Sequence, residues 1–187
     1  AEVNRLKAEL RAKGKDIIDF GMGNPDSPTP KHIVNKLTET VQNGDTHRYS
    51  MSKGIPGLRK AICGYYKRRW DVAIDPEKEA VVTIGSKEGL VNMANAISSP
   101  KSTILVPDPC YPIHEFGYTL AGAKVHSLPK FTGESFVSQV KNAIEKSKVK
   151  PLAVILNYPC NPTAETADLA FYEEMVALCK HYGIWIL

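Results

Sequence analysis

From residue 80 onward the chain alternates short β-branched or apolar runs with segments of helical rhythm. Runs at 80–84, 103–106, 124–128, 152–157 and 184–187 predict strands, and the intervals near 86–97, 112–121, 135–147 and 168–182 predict helices. Leu90, Met93, Ala94 and Ile97 recur at the spacing of one helix face. Repeated strand-helix-strand units imply an α/β fold, three layers deep, around a mainly parallel sheet.

Before residue 80 the texture differs. Val3, Leu6 and Leu10 line one side of a predicted helix over 1–13, with Gly14 closing it. DIIDF predicts a short apolar strand, followed by a loop in which Gly21 and Gly23 expose backbone and three prolines stiffen the path. Thr29 as N-cap and Pro30 in the first turn predict a second helix carrying Ile33, Val34, Leu37 and Val41, ending at Asn43-Gly44. The loop THRYSMSKGIPG leads to a third, from Pro56 to about Trp70, with Leu58, Ile62, Tyr65 and Tyr66 on its apolar side. The final run, HYGIWIL, carries no turn and no polar finish, which reads as a chain cut within a strand.

The strand-to-helix junction at Gly85-Ser86-Lys87 carries the first chemical signal. The opening amides of a helix lack intrahelical partners and sit at the positive end of its dipole, so an anion fits there. Gly85 permits a sharp bend, and Ser86 is expected both to cap the helix and to offer its hydroxyl to phosphate. An ordinary capped helix has the same pattern. No G-x-x-x-x-G-K-[ST] and no G-x-G-x-x-G after a strand occurs, which argues against a P-loop or a dinucleotide site. In open α/β sheets ligands lie beyond the carboxyl ends of strands. Two further loops leave predicted strands there, Asp108-Pro109-Cys110-Tyr111-Pro112 and Tyr158-Pro159-Cys160-Asn161-Pro162-Thr163.

Composition narrows the rest. The chain has 187 residues, 43% hydrophobic and 24% charged, enough for one sizeable core. Its net charge of +4 is scattered, and the cluster Lys67, Arg68 and Arg69 reads as a solvated helix face, so nucleic acid is not indicated. No apolar run is long enough to span a bilayer, and a charged N-terminus unlike a signal peptide places the protein in the cytoplasm. Four cysteines without C-x-x-C spacing are expected to be reduced and buried, and five histidines without ligand spacing predict no metal site.

Taken together, DIIDFGMGNPD, THRYSMSKGIPGLRKAI, VTIGSKEGL, VPDPCYPIH and NYPCNPTAE make the chain resemble the N-terminal half of fold-type-I, class I/II pyridoxal-phosphate aminotransferases. Within that family it is similar to the bacterial alanine (glutamate-pyruvate) and aspartate branch. The resemblance implies that residues 1–48 are an N-terminal segment shared with a small domain and dimer contacts. Residues 49–187 would begin the large cofactor domain. It implies pyridoxal 5'-phosphate as cofactor, an amino acid and a 2-oxo acid as substrates, and a homodimer with shared active sites. Gly85, Ser86 and Lys87 would hold the cofactor phosphate, Tyr111 would stack on the ring, and Asn161 would donate to its phenolic oxygen. Gly23 would offer backbone to the substrate carboxylate, and Tyr49 would reach the neighbouring subunit's cofactor phosphate.

The family's Asn-Pro-Thr-Gly reads here with Ala164 in the last place, and alanine's distaste for positive φ predicts a negative φ there. The lysine that carries the cofactor lies, in the family, beyond position 187, so no catalytic residue is assigned in this chain and it is expected to be inactive alone. Lys53 and Lys87 are the two present lysines nearest the motifs. Other readings of the same loops are a β-lyase or synthase of the same fold, or a non-catalytic module that binds a phosphate ligand or dimerises.

Overall fold

The structure is a computed structural model that describes residues 2–19, 23, 25–129 and 133–187. The chain divides into two compact units, Ala1–Ser50 and Met51–Leu187.

In the first unit α1 (Glu2–Ala12) is laced by Arg5 pairing with Glu2 and Glu9. Residues 15–19 form no strand, contrary to the sequence pattern; Asp19 is drawn to α1 by Lys7 (3.0 Å) and Arg11 (3.5 Å). Phe20 and Gly21 lie outside the described residues. Helix α2 (Lys31–Gln42) starts one residue later than predicted, because Pro30, at φ −52° and ψ 135°, takes the cap position. Asn43 follows, and its side chain accepts the Asp45 amide at the head of a 3-10 turn, Gly44–Thr46. Neither helix contributes a buried residue, so the apolar stripe Ile33, Val34, Leu37 and Val41 stays exposed.

The second unit holds α3 (Pro56–Trp70), α4 (Gly85–Ile97), β1 (Thr103–Asp108), α5 (Pro112–Leu120), β2 (Lys124–Pro129), α6 (Phe136–Lys146), β3 (Ala153–Val154), α7 (Leu169–Tyr182) and β4 (Trp185–Ile186). Proline at the first turn suits α3 and α5, where a missing amide costs nothing. Ser135 and Asp168 cap α6 and α7 through their side chains, and left-handed Gly183 ends α7. The strands lie in the order β2-β1-β3-β4, all parallel, with Ile104 opposite both Val125 and Ala153. The architecture is the expected three-layer, mainly parallel α/β fold.

Alternation along β1 divides the core. Leu105 faces a layer with Val140 and Ile144 of α6, Val154, and Met175 and Cys179 of α7. Ile104 and Val106 face the opposite layer, with Ala94 of α4, Tyr118 of α5, Ala153 and Ile155. A strand covered on both sides needs this continuous apolar run rather than alternation with polar residues.

Two predicted strands differ. Over 152–157 the ladder is confined to β3, although Ile155 still donates to Leu105 (2.9 Å) and Leu156 to Leu187 (2.7 Å). Residues 80–84 form no strand. No described strand runs beside them, and the Val82 amide goes instead to the Lys53 carbonyl at 3.0 Å. Ala80 is buried and Val82 half-buried, but Val81 and Ile84 are exposed, so the segment lacks the continuous buried face that a sheet would give it. No helix among the described residues is long and apolar enough to cross a membrane. Of the free cysteines, Cys63, Cys160 and Cys179 are buried and Cys110 is half-buried.

Candidate functional site

The bend before α4 is exposed through Gly85, Ser86 and Lys87. Gly85 sits at φ +77°, and a Cβ there would meet nothing within 4 Å, so the glycine is required by backbone conformation and leaves open space above it. Its amide donates to Thr83 (2.9 Å), whose hydroxyl returns a bond to the Gly85 carbonyl (3.0 Å). Ser86 is not the N-cap as predicted. Ile84 holds that position, and its amide donates to the Glu88 carboxylate, which leaves the Ser86 hydroxyl outside the capping arrangement. The amides of Ser86 and Lys87 belong to the first turn, where the helix itself offers no acceptor.

Tyr111 stands at the cap position of α5, immediately beyond the loop that leaves β1. Lys87 Nζ lies over its ring, 5.5 Å from the centroid, and the adjacent Tyr111 side chain holds the lysine pKa above its ordinary value. Lys87, Tyr111, Pro112, Ile113 and Phe116 line an open hollow of about 250 Å³. A hollow of about 590 Å³ beside Tyr158, Asp168, Phe171 and Glu174 includes none of the predicted site residues.

Asn161 projects from the loop that follows β3, the strand beside β1. Its amide donates to the Asn157 side chain at 3.2 Å, and its own side chain is exposed. Ala164 corrects the expectation drawn from its missing glycine: its φ is +59°. The loop closes on itself there, with Ala164 donating to Cys160 (2.7 Å) and Cys160 to Glu165 (2.8 Å), and these two bonds demand the left-handed turn whatever the side chain. Lys87 and Tyr111 are thus in contact, and Asn161 shares with Tyr111 the carboxyl edge of two neighbouring strands. Gly23 and Tyr49, both fully open, belong to the first unit.

Two residues escaped the sequence reading. His114 on α5 is buried, packs edge-on against the Tyr111 ring at 5.9 Å and 80°, and has a pKa lowered by burial. Its Nδ1 and the Tyr118 hydroxyl have no hydrogen-bond partner among the described residues. Arg59 is almost wholly buried on α3. Its signal was a charge on the helix face that carries Ile62 and Cys63. Of the lysines near the motifs, Lys53 Nζ donates to the Glu77 carbonyl (3.4 Å) and Lys87 is held at Tyr111. Among the described residues no group of His, Cys, Asp and Glu could hold a metal ion.

A parallel sheet from whose carboxyl edge the loops carrying Tyr111 and Asn161 emerge defines an α/β protein, the class in which ligands are held at that edge. Residues 15–187 match the family described as aminotransferase class I and II, and the chain belongs to it. It is 51% identical over 182 residues to the glutamate-pyruvate aminotransferase AlaC of Escherichia coli (strain K12), covering 97% of this chain and 44% of that protein. With an LL-diaminopimelate aminotransferase of Dehalococcoides mccartyi (strain ATCC BAA-2100 / JCM 16839 / KCTC 5957 / BAV1) it shares 39% identity, over 98% of this chain and 47% of the relative. A double mutant of Thermus thermophilus aspartate aminotransferase superposes with a TM-score of 0.89 at 26% identity, covering 99% of this chain and 48% of that structure. The chain spans about half the length of the relatives it matches.

Proposed function

We propose that the whole protein is a pyridoxal-phosphate-dependent aminotransferase of the alanine (glutamate-pyruvate) or aspartate type, working in the cytoplasm as a homodimer. In this reading the chain described here cradles the cofactor. The observation that carries it is the contact between Lys87 and Tyr111, which joins an anion-binding helix start to a flat aromatic side chain.

The residues fit a phosphate ester on a small heterocycle. Open space over Gly85 admits a phosphate, the Ser86 and Lys87 amides and the Ser86 hydroxyl supply donors, and the helix dipole favours its charge. Tyr111 offers a π-face that orients a ring without reacting with it. The Asn161 amide can donate to a phenolic oxygen and bias where its proton sits. Bound there, the cofactor supplies an electron sink for the charge that develops at the substrate α-carbon. The Gly23 backbone would meet the substrate carboxylate, and Tyr49 would serve the neighbouring subunit's phosphate.

The test is to incubate the full-length protein, loaded with pyridoxal phosphate, with L-alanine or L-aspartate and 2-oxoglutarate. Formation of glutamate together with pyruvate or oxaloacetate supports the proposal. Absence of amine transfer, together with release of ammonia and a thiol from a β-thio-substituted amino acid such as L-cystathionine supplied in their place, would overturn it in favour of a lyase.

A further inference from the structure

Arg59 is 2% exposed, and a buried guanidinium costs several kcal/mol unless its donors are matched. Here they are. Nε donates to the Gly54 carbonyl at 3.3 Å, one terminal nitrogen donates to the Pro76 carbonyl, and the same nitrogen lies 3.1 Å from the Glu77 carboxylate, which is 62% exposed. The arginine therefore joins α3 to two loops, 51–54 and 75–77.

What lies on the far side of the first loop gives this its significance. Gly54 (φ +84°) presses so closely on Val82 that a Cβ would stand 2.3 Å from Val82 Cγ2. Its neighbour Lys53 accepts the Val82 amide at 3.0 Å and donates through Nζ to Glu77. Val82 belongs to the segment that forms no strand, and three residues later that segment becomes the Gly85 bend. Side chain and backbone contacts thus run without a gap from Arg59 through Gly54 and Lys53 to Val82.

We infer that Arg59 is a positioning residue for the phosphate-binding bend, setting Gly85–Lys87 through the Gly54–Val82 contact. The inference rests on the proposal that this bend holds the cofactor phosphate. It assigns a task to a buried charge that touches neither cofactor nor substrate. Lysine cannot replace it, since a single ammonium lacks the planar fork that serves two carbonyls and a carboxylate together.

The test compares full-length wild type with Arg59→Lys, Glu77→Gln and, as a direct contact, Ser86→Ala. Pyridoxal-phosphate affinity is read by titration, and backbone amide exchange is read across residues 80–88. Arg59→Lys should weaken the cofactor roughly tenfold, the size of one charge-assisted hydrogen bond lost. It should also speed exchange at 82–87 while β1 stays protected. Glu77→Gln, at an exposed position, should do the same to a smaller degree in a fully folded protein. Ser86→Ala should lower affinity and leave exchange at 82 unchanged. Wild-type exchange and affinity in both Arg59→Lys and Glu77→Gln would overturn the inference. Should Arg59→Lys fail to fold, Glu77→Gln alone decides. If wild type does not bind the cofactor, or Ser86→Ala binds it equally well, the phosphate reading fails, and the exchange measurement still judges whether Arg59 holds the bend.

Discussion

Lys87 Nζ lies 5.5 Å from the centroid of the Tyr111 ring, so the bend that opens α4 and the loop that leaves β1 meet through these two side chains. The adjacent Tyr111 side chain keeps the lysine protonated to higher pH than usual. In Tyr111→Phe the ring remains and the acceptor is lost, so the Lys87 ammonium should titrate lower than in wild type. NMR of the lysine side chain against pH checks this, and an unchanged titration would mean the contact does not persist in solution.

Replacing Ala164 by glycine should stabilise the protein. A left-handed alanine costs about 1–2 kcal/mol, and glycine returns about 0.5–1 kcal/mol of that as extra freedom in the unfolded chain, leaving a gain of about 0.5–1 kcal/mol. With φ at +59° the position already has the conformation glycine prefers. Urea unfolding measures it; a lower midpoint in Ala164→Gly would contradict the geometry of this loop.

Gly54→Ala should destabilise by about 2–4 kcal/mol, combining overpacking with a strained positive φ. A companion Val82→Ala should rescue little, because Val82 Cβ itself would stand 2.5 Å from the new methyl. Full recovery in the double variant would show that the clash is confined to the valine methyls.

The stability of the protein should fall below neutrality through His114. Burial lowers its folded pKa beneath the ordinary 6.5, so the unfolded chain binds the proton first as the pH drops. The contribution is fully present above about pH 6.5 and is lost as pH falls through the folded pKa. Chemical denaturation from pH 8 to 5 should show this slope in wild type and a shallower one in His114→Gln. Equal slopes would assign the effect to other groups.

Borohydride treatment of the 187-residue chain with pyridoxal phosphate should leave Lys53 and Lys87 unmodified, since one donates to the Glu77 carbonyl and the other is held at Tyr111. Peptide mapping reads the outcome. A single stoichiometric label on either lysine would overturn the assignment of the cofactor-carrying lysine to a position outside this chain.

Elements whose signals are local were legible in the sequence. Pro56, Pro112, Ser135 and Asp168 mark helix starts within one residue because caps and fixed φ act over a single turn. The segment 80–84 was misread because a strand is made by its neighbour, and β-branched residues announce only the propensity. Ala164 was misread for a related reason: its φ is imposed by bonds among Cys160, Ala164 and Glu165. The loops carrying Tyr111 and Asn161 could be placed at one sheet edge from their order in the chain, whereas the Gly85 bend follows no described strand. The Lys87–Tyr111 contact, and Arg59's acceptors at Gly54 and Pro76, depend on tertiary geometry that no spacing encodes.

Because consecutive residues of β1 point alternately into two separate apolar layers, the same short spine belongs to both. Stripping α6 and α7 away would lay bare Leu105, and stripping α4 and α5 would lay bare Ile104 and Val106, so neither side can melt and leave the other intact. Heat should therefore take the second unit apart in one cooperative step, with calorimetric and van't Hoff enthalpies in agreement.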